Sequence, residues 1–151
     1  MSKAEEKIPN EINKFLNANQ VATVCFIDEE NHPYCINCFY VYDEEYEILI
    51  FKSSPGTNHH NMILSENRVA GTILPMKVDV LKLKGIQFTA QILSEQYLTA
   101  FHAGTTYYKK NPFALAMPGY VWAVQLLSMK FTDNTMVFAK KMHWNTNKNT
   151  T

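Results

Sequence analysis

The segment Ile86 to Ile92 alternates without a break. Ile86, Phe88, Ala90 and Ile92 are apolar, and Gln87, Thr89 and Gln91 between them are polar. Successive side chains of an extended chain point to opposite faces, so this stretch predicts a strand with one buried and one polar face. Sheets with one wet face are antiparallel as a rule, and the rest of the chain fits that frame. Gly85 separates this strand from the apolar run Val78 to Leu83, which predicts a further strand. A glycine there marks a bulge or a close approach to the backbone.

Upstream, Val21 to Ile27 predicts a strand apolar on both faces and hence central. The turn Asp28 to Pro33 leads to a returning strand from Tyr34 to Tyr42, and Asp43-Glu44-Glu45 turns the chain into Tyr46 to Phe51. Strands joined by short polar turns make an antiparallel meander. Further strands are predicted at Val69 to Leu74, Tyr120 to Phe131 and Met136 to Ala139. Helical spacing of Ile8, Ile12, Phe15 and Leu16 predicts a helix near Ala4 to Ala18, its start delayed by Pro9. One more helix is predicted from Ser94 to Lys110, and a short one from Thr57 to Leu64. Six or more antiparallel strands with a few short helices imply a closed or nearly closed barrel of the α+β, mainly β, class.

At 151 residues, 46% hydrophobic and 19% charged, the chain predicts one folded domain over residues 1–144, with a disordered polar tail over 145–151. Fourteen basic residues balance fourteen acidic ones, so no basic stripe is available for nucleic acid. Arg68 is the only arginine. No apolar run approaches the roughly 20 residues of a membrane span. The charged start M-S-K-A-E-E-K and the three cysteines predict a reducing, cytoplasmic setting.

The richest segment for chemistry is Phe51 to Met62, F-K-S-S-P-G-T-N-H-H-N-M. A strand ends at Lys52, Ser53 and Ser54, Pro55-Gly56 turns, and Thr57, Asn58 and His59 open a helix. By itself it fits an ordinary capped helix with Thr57 as N-cap. That is the simpler reading of the segment alone; it also suits a phosphate, because the first N–H groups of a helix lack partners and carry partial positive charge.

A resemblance decides between the two. The segments S-S-P-G-T-N-H, R-V-A-G-T-I (Arg68 to Ile73), K-G-I-Q-F (Lys84 to Phe88) and T-D-N-T-M-V-F-A-K-K-M-H-W (Thr132 to Trp144) occur in an order that resembles the YhbP-like branch of the FMN-binding split barrels. That superfamily includes pyridoxamine 5'-phosphate oxidase. The resemblance covers Val21 to Trp144 and implies a six-stranded Greek-key split barrel, a homodimer, and FMN in a groove between subunits. It puts Lys52, Ser53, Thr57, Asn58 and His59 around the phosphate and ribityl chain, and Asn37, Cys38 and Phe39 along the ring. Lys84 and Gln87 come from across the dimer, and Trp144 packs over the flavin edge or the seam. It implies a flavin-dependent oxidoreductase with NAD(P)H as an electron donor. The alternatives are a flavin- or nucleotide-binding module without catalysis, or a barrel for a related ligand such as haem or a deazaflavin.

Two departures matter. Many relatives carry Arg or Lys where this chain has Thr57-Asn58, which leaves Lys52 and His59 as the local cations. A protonated His59 on the phosphate predicts FMN affinity that falls as pH rises through neutrality. The chain also ends in Trp144-Asn145-Thr146-Asn147-Lys148, without the arginine-bearing segment that grips pyridoxamine phosphate, so turnover of that substrate is not expected.

Other motifs point less far. Cys35-x-x-Cys38 lies in a strand, where a separation of three sends the two thiols to opposite faces and argues against a dithiol or metal pair. His59-His60 diverge on a helix, and no metal site is expected. Ser53 and Ser54 sit in no nucleophile elbow. Trp122 is expected in the core.

Overall fold

The computed structural model describes residues 6–135 and 140–146, the side chains of 64 and 65 excepted. Its elements are α1 (Asn10–Ala18), β1 (Val21–Ile27), β2 (Pro33–Asp43), β3 (Ile48–Ser53), α2 (Asn58–Ser65), β4 (Arg68–Ile73) and β5 (Lys84–Ile92). They continue with α3 (Glu95–Ala100), α4 (Ala103–Lys110), a 3-10 turn (Pro112–Ala116), β6 (Tyr120–Asp133) and β7 (Lys140–Asn145). The turns have local causes. Asp28 Oδ1 accepts from the N–H of Glu30 at 3.0 Å and of His32 at 2.7 Å, while Asn31 takes a left-handed φ of 65°. Asp43 does the same for Glu45 at 3.0 Å, with Glu47 left-handed at φ 56°.

Every pairing is antiparallel, in the order β3-β2-β1-β4-β5-β6-β7, and a β3–β6 pairing closes six strands into a barrel. β7 is added on the free edge of β6. The expected six-stranded barrel is therefore present, with one strand more. β6 is long enough to pair with β3 from Tyr120 to Gln125, with β5 from Val124 to Asp133 and with β7 from Ser128 to Asp133.

The interior holds Val24, Phe26, Leu49, Phe51, Ile86 and Trp122, all essentially out of water. α1 closes one end: its Ile12 and Leu16 are fully buried, and Phe15 meets Phe131 at 5.3 Å between ring centres. A second cluster lies outside the barrel wall, where Ile48, Ile50 and Ala123 pack beneath Ala103, Tyr107 and Ala114. β3 is thus the strand buried on both faces. β1, expected to be so, buries only Ala22, Val24 and Phe26, and turns Thr23 and Cys25 to a half-open outer face.

Four other expectations change. Residues 78–83 form no strand: Asp79 turns the chain by accepting from the Leu81 N–H at 3.0 Å, and Val80 and Leu81 stand 89% and 85% exposed. The run is apolar, but no neighbouring strand offers it a face. The helix expected from Ser94 to Lys110 breaks at His102, which is left-handed at φ 54°. The bulge lies between Thr89 and Ala90, not at Gly85, and leaves Leu127 unpaired on β6. The strand expected at Met136 to Ala139 lies outside the described residues, and the last described strand is β7. Asn145, assigned by sequence to the tail, ends that strand, and just past it the Thr146 N–H reaches the Leu127 carbonyl at 2.8 Å. The remainder of the tail also lies outside the described residues. No helix among the described residues is long and apolar enough to cross a membrane.

Candidate functional site

β3 delivers Lys52 and Ser53 to the rim of the barrel, where Ser54-Pro55-Gly56 reverses the chain with Gly56 at φ 76°. Thr57 then sits at the N-cap position of α2 in extended conformation, but its side chain makes no capping bond. The expected cap is missing, and the first-turn amides of α2 have no side-chain acceptor at that position. The outer face of β2 brings Asn37 and Phe39 alongside, and the 3-10 turn with the end of α4 forms the opposite wall.

Together these elements enclose a groove of about 940 Å³. Seven of the residues singled out from sequence line it: Asn37, Cys38, Phe39, Lys52, Ser53, Thr57 and His59. Among the described residues its cations are Lys52 and Lys110, and no carboxylate lines it. Phe39, Phe113 and Met117 keep 67%, 72% and 57% of their surface exposed, which gives the groove an apolar wall. Lys110, Phe113 and Met117 carried no sequence signal, because only the fold brings residues some sixty positions downstream onto Lys52, as the Lys52–Ala114 bond across 62 residues illustrates.

The two expected phosphate cations are not free charges. Lys52 Nζ donates to the carbonyls of Ala114 at 2.6 Å and Met117 at 2.7 Å, and it lies 4.8 Å from the centre of the Tyr108 ring. It pins the 3-10 turn to β3 and offers the groove only what charge remains unscreened. His59 is buried, and its ring stacks on Phe26 at 5.8 Å. Burial, with a smaller contribution from His60, holds the imidazole below its ordinary value of 6.5, so it is neutral at pH 7. Ser53 Oγ lies 2.6 Å from His59 Nε2 and accepts from the Trp122 indole N–H at 2.7 Å. With the indole donating to Oγ, the serine hydroxyl still has a proton and a lone pair to offer Nε2, and the imidazole tautomer sets which of the two donates. Ser53 is therefore a buried tie among β3, α2 and β6 rather than a free ligand. Cys38 points inward onto the core, and burial pushes its thiol up to about 11.

Four expected site residues do not line this groove within one chain, and two of them, Lys84 and Gln87, were expected from across the dimer. Asn58 is exposed at the start of α2 and does not line the groove. Lys84 faces Asp133 at 3.8 Å, and Gln87 lines a second, smaller groove on the outer barrel face. Trp144 is 1% exposed and donates its indole N–H to the Glu6 carbonyl at 2.8 Å, so it is a core residue rather than a flavin contact. Trp122 is in the core as expected. The lone arginine, Arg68, is held by Glu66 at 2.9 Å and takes no part in the groove.

No family model matches the chain. A UPF0306 protein of Haemophilus ducreyi is 34% identical over 142 residues, which is 92% of this chain and 96% of that protein. The chain belongs to the UPF0306 family. Another member, the UPF0306 protein YhbP of Salmonella paratyphi A, is 32% identical over 133 residues, 88% of this chain and 90% of that one. Among solved structures, a heme-binding protein from Mycobacterium smegmatis matches with a TM-score of 0.67 at 12% identity, over 91% of this chain and 59% of that one. A FAD-binding protein from Mesorhizobium loti matches at 0.58 with 18% identity, over 84% and 96% of the two chains. A protein of the pyridoxinephosphate oxidase family from Clostridium acetobutylicum, related to general stress protein 26, matches at 0.60 with 12% identity, over 89% and 92%. At such identities the likeness is one of fold, and that fold is the split barrel.

Proposed function

We propose that this member of the UPF0306 family binds FMN in the large groove, as a homodimer, and uses it in oxidoreduction. The observation that carries the reading is the groove's composition. Among the described residues two lysines, no carboxylate and an apolar aromatic wall line it, in a chain with equal numbers of acidic and basic residues. A cavity of this size with a few polar groups on an apolar wall is what a cofactor of flavin dimensions requires. The phosphate end falls to Ser54, Thr57 and the uncapped first-turn amides of α2, with Lys52 and Lys110 supplying background positive charge. Phe39, Phe113 and Met117 offer the flat apolar contact a ring system needs, and the Asn37 amide stands at its edge.

Bound flavin would supply the electron chemistry. This chain's residues then bind and orient it, and none of them is required as an acid or base. Neutral His59 serves by holding Ser53, and through it the β3–α2 corner, in place. The visible spectrum of freshly purified protein, with mass spectrometry of the released small molecule, tests the reading. Flavin absorbance and released FMN are expected. A Soret band would replace flavin with haem, and an empty protein that FMN fails to stabilise thermally would end the proposal. Anaerobic reduction by NADH or NADPH then separates enzyme from carrier, because a carrier reduces no faster than free FMN.

A further inference from the structure

Cys25 and Cys35 lie directly opposite each other on β1 and β2. The register of that pair keeps a constant sum, and its ends are marked by backbone bonds: Tyr40 N–H to the Gln20 carbonyl at 2.8 Å and Asp28 N–H to the His32 carbonyl at 2.9 Å. Hydrogen-bonded and non-hydrogen-bonded pairs alternate along an antiparallel ladder. Counting inward from either end therefore makes Cys25–Cys35 a non-hydrogen-bonded pair, the kind whose side chains stand closest. Thr23 and Asn37, two residues along on the same face and of the same kind, already touch at 2.7 Å. Non-hydrogen-bonded partners have Cα atoms about 4.5 Å apart, at the short end of the roughly 4.4–6.8 Å that a disulfide bridges. A bond there would form without moving the strands far.

Both thiols line the second groove, of about 530 Å³, on the outer face of the barrel. Besides the thiols, Lys130 and His143 line it and face each other across β6 and β7, and among the described residues no carboxylate does. A small disulfide that carries carboxylates would enter such a groove more readily than a cationic one.

We propose that Cys25 and Cys35 form a thiol–disulfide exchange site whose oxidant is an anionic low-molecular-weight disulfide. Cys35 is exposed and attacks as the thiolate. Its sulfur bonds to one sulfur of the small disulfide, the S–S bond breaks, and the first small thiolate leaves. Cys25, half-buried and held protonated by burial and by Cys35, gives up its proton and attacks Cys35 Sγ, expelling the bound half as a second thiolate. Two protein thiols become one disulfide, one small disulfide becomes two thiols, and the protons from the cysteines end on those thiols. Cys38 faces the core and takes no part. The proposal does not depend on flavin binding.

The test is oxidation of the full-length protein with oxidised glutathione, alkylation of remaining thiols, and peptide mapping without reductant. All three cysteines fall between Lys14 and Lys52, so trypsin leaves them on one peptide; cleavage at Glu29 and Glu30 separates Cys25 from Cys35. A Cys25–Cys35 link with alkylated Cys38 is expected, along with its persistence in Cys38→Ser. In Cys25→Ser, Cys35 should instead retain one glutathione as a mixed disulfide. A link that includes Cys38, only intermolecular links, or no link overturns the pairing. Oxidation by glutathione disulfide should run several-fold faster than by cystamine, a dication, and Lys130→Gln should narrow that ratio. Equal rates overturn the anionic substrate class.

Discussion

At the scale of single residues, His59 and Trp144 show what a sequence can and cannot assign. Each was a candidate for the cofactor, and each is tied into the protein by hydrogen bonds of its own: His59 to the Ser53 and Thr57 hydroxyls, Trp144 to a backbone carbonyl. His59 carries a pH prediction of definite sign. Its folded value lies below 6.5, so between that value and 6.5 the unfolded chain holds a proton that the native chain does not, and native stability rises with pH there. Acidifying from pH 7 through 6.5 should lower the melting temperature, and His59→Gln should flatten that slope. The expectation that FMN affinity falls as pH rises through neutrality has lost its cause, because the imidazole is already neutral. A titration of FMN affinity from pH 6.5 to 8 should be nearly flat. Trp144→Phe should cost about 1–3 kcal/mol, through lost volume and an unpartnered Glu6 carbonyl. The folded variant should bind FMN as the parent does. A weakened FMN affinity in a variant of unchanged melting temperature would return Trp144 to the site.

At the scale of elements, patterning located β1 to β6, each paired with neighbouring strands, and missed β7. It failed at residues 78–83, where an apolar run has no sheet edge to join, and where Asp79 makes a local turn instead. It could not place β3 as the doubly buried strand, because that depends on α4 and the 3-10 turn arriving from beyond Ala103. The glycine that matters most is also not the one the pattern marked. A Cβ at Gly71 would overlap the Phe88 ring and lie 2.5 Å from the Thr23 carbonyl, whereas one at Gly85 would meet Leu74 at an ordinary 3.4 Å. Gly71 lets β4 pass between β1 and the inward ring of β5. Gly71→Ala should destabilise the fold by about 1–3 kcal/mol, read as a lower denaturant midpoint with an unchanged slope. Gly85→Ala should be far milder, and a reversal of that order would mean the barrel wall relaxes there.

At the scale of the whole molecule, the barrel was legible because many short segments agreed on one architecture, and the resemblance joined them in order. Half of the site was legible for the same reason: β2, β3 and the start of α2 are near one another in the chain. The other wall was not, since it rests on Lys110, Phe113 and Met117. What the single chain leaves unmet is an apolar surface. Leu74, Met76, Val78, Val80 and Leu81 are exposed by 52%, 62%, 59%, 89% and 85% in one short segment. So large a cluster on a folded chain marks a surface that something covers. The segment runs directly into Lys84 to Gln87, which the resemblance assigns to the far side of a dimer groove. If this is the seam, Val80→Asp with Leu81→Asp should turn dimer into monomer in sedimentation velocity. The charges sit in water in the monomer, where surface changes alter stability by only about 0.5 kcal/mol, so the barrel's own circular dichroism should survive. FMN affinity should fall at least tenfold, because each groove loses what the partner brings. A variant that stays dimeric, or a monomeric variant that binds FMN as tightly as the parent, would separate the cofactor groove from any seam at residues 74–83.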